Sequence, residues 1–468
     1  MVVAAPSTCM SRSSKSTLVL GDTGSLLRSV CRKGQPKPAY ELRQSQVETP
    51  PQVVSLFWRV IKTHRPSRGR VLDLGAGNGR FSFGGNYSTY DGIEIDPSSY
   101  PPVDLPPGAT IYNGCAFDFP GGDYDLCVGN PPYVRHHDIE SPWKEIVADW
   151  IKNELGTSFD LHGNLYLYFL SLGLIKTRED GLVGMIIPYE WISRPSAKGL
   201  RTLINRANWD VSVYRFKMAI FPTVQTTACI SIIDKSQKNG RWHLYDIDEN
   251  HVISTRKGLT GTEFSVLPHD DRGQIWAKRG LSPGSQKVFT LTEGERVHFG
   301  LTKTDVKPCV TTLKHLPKDL RELNHLSFKK HFVESGRKCW LIKSNSDKIS
   351  HRLKSYLESV PETSRQTWTC LNQDPWYNYE PSNIPDILVH SAFVKFGPKV
   401  LVNNIGAEVV GSVYGVFLRR GISARKLRDY LLEFNFEDKL VHHSNRLKKI
   451  EVRQLNSVLS NWIEGNGG

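Results

Sequence analysis

Cysteine is scarce in this chain: eight among 468 residues, at positions 9, 31, 115, 127, 229, 309, 339 and 370. No two stand at Cys-x-x-Cys spacing, which argues against a zinc ribbon, and so few in so long a chain suit an intracellular setting. The paired histidines 136–137 and 442–443 are adjacent rather than four apart, so they do not form a helical metal site, and no metal is expected. No apolar run approaches the ~18 residues that a membrane span requires, so no membrane partner is expected. Acids are missing from the first 21 residues, where Arg12 and Lys15 stand among serines and threonines. No apolar core of a secretory signal follows them, and residues 1–44 read as a basic N-terminal arm.

Charge of one sign is also locally depleted. Residues 83–170 contain three basic side chains (Arg135, Lys144, Lys152) against thirteen acidic ones, whereas 301–354 contain thirteen basic against five acidic. The chain as a whole carries a formal charge of +13. An acidic segment suits a cationic small ligand, and a basic one suits a polyanion.

From Arg70 onward, short apolar strands alternate with helical stretches. Strands are predicted at 71–74, 90–95, 124–129 and 181–188, with a helix over 165–175. This alternation implies right-handed parallel crossovers and a doubly wound, Rossmann-like α/β sheet. Two late strands, 211–216 and 227–234, flank a Phe-Pro turn and predict an antiparallel hairpin at one sheet edge. The pattern changes near residue 245. Turn-rich pieces follow, with helices near 423–433 and 445–461, so an α/β domain over 45–248 and a separate α+β domain over 249–468 are expected.

Two motifs carry chemistry. Asp73-Leu-Gly-Ala-Gly-Asn-Gly79 follows a strand and is expected to lead into a helix; Gly75 and Gly77 permit close approach of a ligand to the backbone. Glu94, about 20 residues on at the end of the next strand, suits the two hydroxyls of an adenosine ribose. No Gly-Lys-Ser/Thr loop follows, which disfavours a triphosphate. The expected ligand carries a ribose but no pyrophosphate, and S-adenosyl-L-methionine fits, its cationic groups suiting the acidic segment. The second motif is Asn130-Pro131-Pro132-Tyr133, at the end of the strand beginning at Tyr124. Pro131 and Pro132 stiffen the turn. The Asn130 side-chain oxygen and the Pro131 carbonyl present two acceptors that can grip an exocyclic amine and free its lone pair for attack on a methyl group. Tyr133 offers a face on which a planar base can stack.

In the content and order of these motifs the chain resembles the gamma class of N6-adenine DNA methyltransferases, of the TaqI type found in restriction–modification systems. The resemblance runs from about residue 46 to 246. It begins at Val47-Glu-Thr-Pro-Pro-Gln-Val-Val54 and passes through Val71–Gly79, Glu94, Phe117-Asp118-Phe119 and Asn130–Tyr133. It ends through Asn164-Leu165-Tyr166 and Ile220-Phe221-Pro222. It implies that Thr49 meets the methionine part of the cofactor, that Asp73 belongs to the cofactor turn, and that Asp118 and Phe169 meet the cofactor's adenine. It further implies that Phe221 stacks opposite Tyr133 on an adenine flipped out of the duplex.

Beyond residue 249 the resemblance is looser: Arg279–Gly284, Phe289, Trp376-Tyr377, Asn403-Asn404 and Lys448–Arg453 are similar to features of the target-recognition regions of these enzymes. Lys329, Lys330, Arg337 and Lys338 are expected phosphate contacts. Pro308-Cys309, the dipeptide of cytosine-C5 enzymes, stands outside the α/β pattern and reads as incidental. The function expected is site-specific methylation of adenine N6 in double-stranded DNA by a cytoplasmic, nucleoid-associated monomer, with any cognate endonuclease acting separately. Asn-Pro-Pro-Tyr also serves enzymes that methylate RNA adenine or protein glutamine. The Glu48–Pro51 motif and the basic C-terminal part favour DNA, and the intact Asn130, Tyr133 and Glu94 disfavour a non-catalytic DNA-binding relative. The recognised DNA sequence and the residues that read it are not given by these motifs.

Overall fold

In the computed structural model, residues 48–65, 69–99, 104–221, 226–256, 276–345, 348–380, 382–395, 397–440, 442–444 and 447–466 are described. The arm expected over 1–44 lies outside them. The chain divides into two units, Met1–Thr262 and Glu263–Gly468.

The first unit is built on nine strands: β1 (Arg70–Leu74), β2 (Thr89–Glu94), β3 (Ala109–Asn113), β4 (Tyr124–Val128), β5 (Thr177–Pro188), β6 (Asp210–Phe216), β7 (Ala228–Asp234), β8 (Trp242–Ile247) and β9 (Ile253–Thr255). Their spatial order is β3-β2-β1-β4-β5-β7-β6-β8-β9. The first five run parallel, and β7 enters antiparallel between β5 and β6. Parallel strands are buried on both faces and so read as continuous apolar runs. Val183, Met185, Ile186 and Ile187 of β5 are all fully buried.

Alternation along β5 shows what covers each face. A methyl built on Gly184 would strike Ile61 and Phe57 of helix α1 (Pro51–His64). A methyl on Gly173, in the helix Leu165–Lys176, would strike Met185, Val183 and Cys127 on the other side. That helix and the one at Trp143–Leu155 are named α3 and α2. Neighbouring residues of one strand thus face different helices, as the pleat requires. Apolar faces of α1 (Val53, Phe57, Trp58, Ile61) pack with Val71, Leu126, Ile186 and Ile230 in one core.

Three sequence expectations change. The glycine turn leads into a three-residue 3₁₀ turn, Arg80–Ser82, rather than a helix. Gly84 and Gly85 follow after Phe83, and a side chain at Gly85 would clash with the Trp58 ring at 2.6 Å, so the chain passes close against α1 here. The β6/β7 hairpin is not at an edge, because β8 pairs parallel with β6 and β9 antiparallel with β8. β9 also carries the first unit's sheet past residue 248, where the domain boundary was expected.

The second unit is α+β, with small sheets and short helices. A five-stranded sheet is ordered Ala277–Arg279, Val413–Val416, Ile387–His390, Val400–Asn403, Glu322–Leu323. Its helices include Ala424–Glu433, Val452–Asn466 and His351–Ser359; the last starts where Ser350 accepts from the Leu353 amide at 3.1 Å. Residues 447–449, expected to open a helix, form a strand paired antiparallel with 442–444 instead, and the helix begins at Val452. Among the described residues no helix is long and apolar enough to cross a membrane.

Candidate active site

The carboxyl ends of β1, β2 and β4 lie along one edge of the sheet, where ligands bind in folds of this kind. At β1 the chain leaves through Gly75, Gly77 and Gly79, all with positive φ. The amides of Gly75 and Ala76 donate to the Ile93 carbonyl at 3.0 and 2.9 Å, which ties the turn to the end of β2. Glu94 is thereby placed under the turn, and its Oε2 accepts from the Gly77 amide at 2.8 Å while Oε1 accepts from the Asp96 amide at 2.8 Å. Each carboxylate oxygen retains acceptor capacity for a ribose hydroxyl. Gly77 faces open space, with nothing within 4 Å of where a side chain would begin.

The glycine turn, the Pro-Pro turn and α3 converge on the same space. A methyl on Gly75 would lie 3.9 Å from both Pro132 and Phe169. Phe169 is half-buried and packs edge-on to Phe117, 5.2 Å between ring centres. Phe117 precedes Asp118 in the 3₁₀ turn Ala116–Asp118, so the acid expected beside the cofactor's adenine is carried next to this aromatic pair.

Asp73 is fully buried. Its Oδ2 accepts from the Tyr90 hydroxyl, and its Oδ1 has no hydrogen-bond partner. Burial pushes its carboxyl up to about 7, opposed by the Tyr90 bond and aided by the charge of Glu94. Gly129, immediately before Asn130, has φ +146; a methyl there would lie 2.9 Å from Asp73 Oδ1 and 3.1 Å from the Leu74 carbonyl. Only glycine lets the end of β4 pass this close to β1.

Asn130 is half-buried, and its Nδ2 donates to Thr49 Oγ1 at 3.1 Å. Thr49 is itself buried and held by Arg80, whose guanidinium donates to the Thr49 carbonyl at 3.0 Å and pairs with Glu48. Tyr133 donates to the Ile186 carbonyl at 3.0 Å, which fixes the ring's outer end on β5. Its ring stands edge-on to Tyr166 (6.3 Å between centres) and to Phe221 (6.2 Å, planes at 75°). Phe221 is buried in the core with α1. In this arrangement Tyr133 and Phe221 touch edge to face, so a base between them requires Phe221 to give way.

The structure therefore brings together Thr49 with Asn130, Gly77 with Glu94, Gly75 with Pro132 and Phe169, and Tyr133 with Phe221. Two supporting groups escaped the sequence reading. Tyr90 looks like an ordinary strand aromatic until its hydroxyl is seen on Asp73. Arg80 lies one residue past the glycine turn, and only the fold reveals its grip on Glu48 and Thr49.

In the second unit, Lys329 and Lys330 occupy the exposed turn after the helix His325–Phe328. Lys329 lies 3.6 Å from Glu334. Arg337 is exposed, whereas Lys338 places its ammonium 2.7 Å from both oxygens of Glu295, the residue that closes the N-terminal capping box of the helix Glu293–His298. Cys309, set aside as a nucleophile, is fully buried, and burial holds its thiol protonated. Among the described residues no group of three or more His, Cys, Asp or Glu side chains is placed to hold a metal ion.

A parallel β3-β2-β1-β4-β5 sheet with β7 inserted antiparallel, bearing a glycine turn with a ribose-type acid, defines a class I S-adenosylmethionine-dependent methyltransferase fold. The cradle suits that cofactor: Gly77 opens onto free space, Asp73 keeps a buried unbonded oxygen for a cationic group, and Phe169 offers an apolar edge. Residues 108–221 match the Eco57I restriction-modification methylase family, and residues 275–432 match the C-terminal domain of the Type II methyltransferase M.Eco57I. These two matches place the chain among the restriction-modification methylases, as the motif resemblance implied.

Curated relatives include the Type II methyltransferase M.AccI of Acinetobacter calcoaceticus, 23% identical over 71% of this chain and 68% of that protein. M.TthHB8I of Thermus thermophilus is 28% identical over 41% of this chain and 45% of its own length. M.XamI of Xanthomonas campestris pv. amaranthicola is 27% identical over 50% and 47%. The chain thus spans about half the length of the last two. Among solved structures, the Type IIL restriction-modification enzyme MmeI, determined in complex with DNA, shares the fold with a TM-score of 0.54 at 11% identity, over 88% of this chain and 64% of that one.

Proposed function

We propose that this protein methylates the exocyclic N6 of adenine in double-stranded DNA as the modifying enzyme of a restriction–modification system. The observation that carries the reading is the Asn130 amide, held by Thr49 at the carboxyl end of β4 beside the glycine cradle. When bound, S-adenosylmethionine supplies an electrophilic methyl on a cationic sulfur. The chain's own residues do the rest. Asn130 directs Nδ2 to Thr49, and its Oδ1, an acceptor, takes one N–H of the amine while the Pro131 carbonyl takes the other. Both acceptors stabilise the positive charge that develops as the nitrogen attacks, and the surplus proton leaves along one of these hydrogen bonds after transfer. No strong base is required. Tyr133 presents a ring, pinned at its hydroxyl, for the extruded base, and Phe221 closes on the other side after it swings from its edge-on position.

Lys329, Lys330 and Arg337 supply sequence-independent phosphate contacts in this reading, with Lys338 a weaker candidate because Glu295 already holds it. The enzyme works as a monomer alongside the cell's DNA, and any cognate endonuclease is a separate chain. Single-molecule sequencing of DNA from a host expressing the protein tests the proposal. N6-methyladenine confined to one sequence context, and absent with Asn130→Ala, is the expected result. Unmodified adenine in every context, or modification of cytosine, would overturn it.

A further inference from the structure

Directly after Tyr133 the chain makes a second, unassigned constellation. Val134 accepts from the Leu165 amide at 2.9 Å, and the His136 amide donates to Asn164 Oδ1 at 3.2 Å. The loop is thus braced on the first turn of α3, the helix that carries Tyr166 and Phe169 into the site. Asn164 spends its side chain on this loop rather than on capping its own helix. On that brace three imidazoles meet: His136 lies 5.1 Å from His137 and 5.4 Å from His162, ring centre to ring centre, in edge-to-face contacts. His136 is the middle ring. Burial, then its two histidine neighbours and Lys144, lower its proton affinity, with Asp160 opposing. The outer rings are solvent-facing, with side-chain exposures of 57% for His137 and 79% for His162. His162 is oriented by Asp160, 2.9 Å from its Nδ1, and His137 lies 3.6 Å from Asp138. Arg135, one of only three basic residues in the acid-rich stretch 83–170, is exposed beside them.

Packing does not account for this grouping, since its outer members bury little apolar surface. A set of N–H donors with one guanidinium, two residues from the base platform, matches a phosphodiester. An extruded nucleotide stacked on Tyr133 necessarily draws its flanking phosphates to the rim of the pocket. We infer that Arg135, His137 and His162 form a phosphate clamp that holds the backbone beside the flipped adenine, with His136 as the spacer that sets their separation. This rests on the adenine-methylation reading and adds the residues that stabilise the extruded state. Such contacts carry no sequence information; they position the strand.

The test uses the full chain and a duplex bearing the methylated site located by host-DNA sequencing, with a methylphosphonate replacing the phosphate on either side of the target adenine. The variant is Arg135→Gln/His137→Gln/His162→Gln, three exposed positions. On the all-phosphate duplex it should lose about tenfold or more in kcat/KM, the scale of one or more lost charge-assisted hydrogen bonds, while its S-adenosylmethionine affinity and melting midpoint stay unchanged. The wild type should lose a similar factor on one of the two methylphosphonate duplexes, and the variant should lose less than about threefold on that same duplex. Losses that simply multiply, or a variant equal to wild type, would overturn the clamp while leaving the adenine reading intact. If the wild type methylates no adenine in any duplex, the underlying reading fails and the clamp with it. Should the triple variant melt early, Arg135→Gln alone carries the same comparison.

Discussion

The hydroxyl of Thr49 accepts a hydrogen bond from Asn130 Nδ2 at 3.1 Å, joining the segment that leads into α1 to the turn that follows β4 across 81 residues of sequence. Resemblance assigns Thr49 to the cofactor; the geometry adds a contact with Asn130, the amide proposed to receive the amine. Thr49→Val keeps the shape and removes the acceptor. Its methyl-transfer rate in a single turnover should fall about two- to tenfold, the worth of one neutral hydrogen bond, with Thr49→Ser restoring it. That fall should persist at saturating S-adenosylmethionine. A rate fully restored by saturating cofactor would show that Thr49 acts only through the cofactor.

Asp73 yields a pH dependence with a definite sign. Its carboxyl ionises near 3.8 when exposed and at about 7 when buried in the fold. Between those values the folded chain holds a proton that the unfolded chain has released. Its contribution to stability is therefore full below about pH 4 and is lost as pH rises through about 7. Asp73→Asn removes that dependence, so the melting midpoint of the wild type should drop relative to the variant from about pH 5 to about pH 8. A cationic ligand favours the ionised form, so S-adenosylmethionine affinity of the wild type should climb with pH, by at most about tenfold per unit below pH 7. Asp73→Asn should flatten that slope. Parallel stability curves for the two proteins would show that Asp73 is ionised throughout.

Much of the first unit was legible because buried parallel strands write themselves as apolar runs; Val183–Pro188 is one, and the glycine and Asn-Pro-Pro-Tyr turns mark the ends of two others. What failed did so for local reasons. In place of the helix expected after Gly79, the chain brings Gly85 close against Trp58, a contact between segments far apart in sequence. Strands β8 and β9 stabilise an edge that hydropathy alone had ended at β6. Phe221 could be placed in the pocket by resemblance, but its burial beside α1 follows only from packing. In the second unit several strands are two to five residues long, too short for a period to show, and their pairing joins segments as distant as Glu322–Leu323 and Val400–Asn403.

Gly129 and Gly77 separate stability from binding. A side chain at Gly129 meets Asp73 and the Leu74 carbonyl in a backbone conformation with φ +146. Gly129→Ala should therefore cost at least about 2 kcal/mol of folding stability by denaturant titration. Gly77 also has positive φ, but nothing lies near its absent side chain. Gly77→Ala should cost only about 1–2 kcal/mol of strain and should weaken S-adenosylmethionine binding beyond that, because the methyl enters the open cradle. Equal loss of cofactor affinity in both variants, in step with their stability, would assign both glycines to the backbone alone.

The four basic residues of the second unit should not behave alike. Lys329, Lys330 and Arg337 are exposed, and only Lys329 lies within 4 Å of a carboxylate among the ion pairs described for them. Each one that meets a phosphate releases a counterion on binding, so converting it to Gln should flatten the plot of log affinity against log salt by about 0.9. Weakening should be the same for every DNA sequence, since backbone contacts carry no base information. Lys338 is already spent on Glu295, which in turn bonds the Thr292 amide to close a helix cap. Lys338→Gln should therefore leave the salt slope unchanged and instead lower thermal stability by up to about 1 kcal/mol, the value of a half-exposed pair. A salt slope that falls with Lys338→Gln but not with the other three would move the DNA-facing surface to the Glu295 side of the domain.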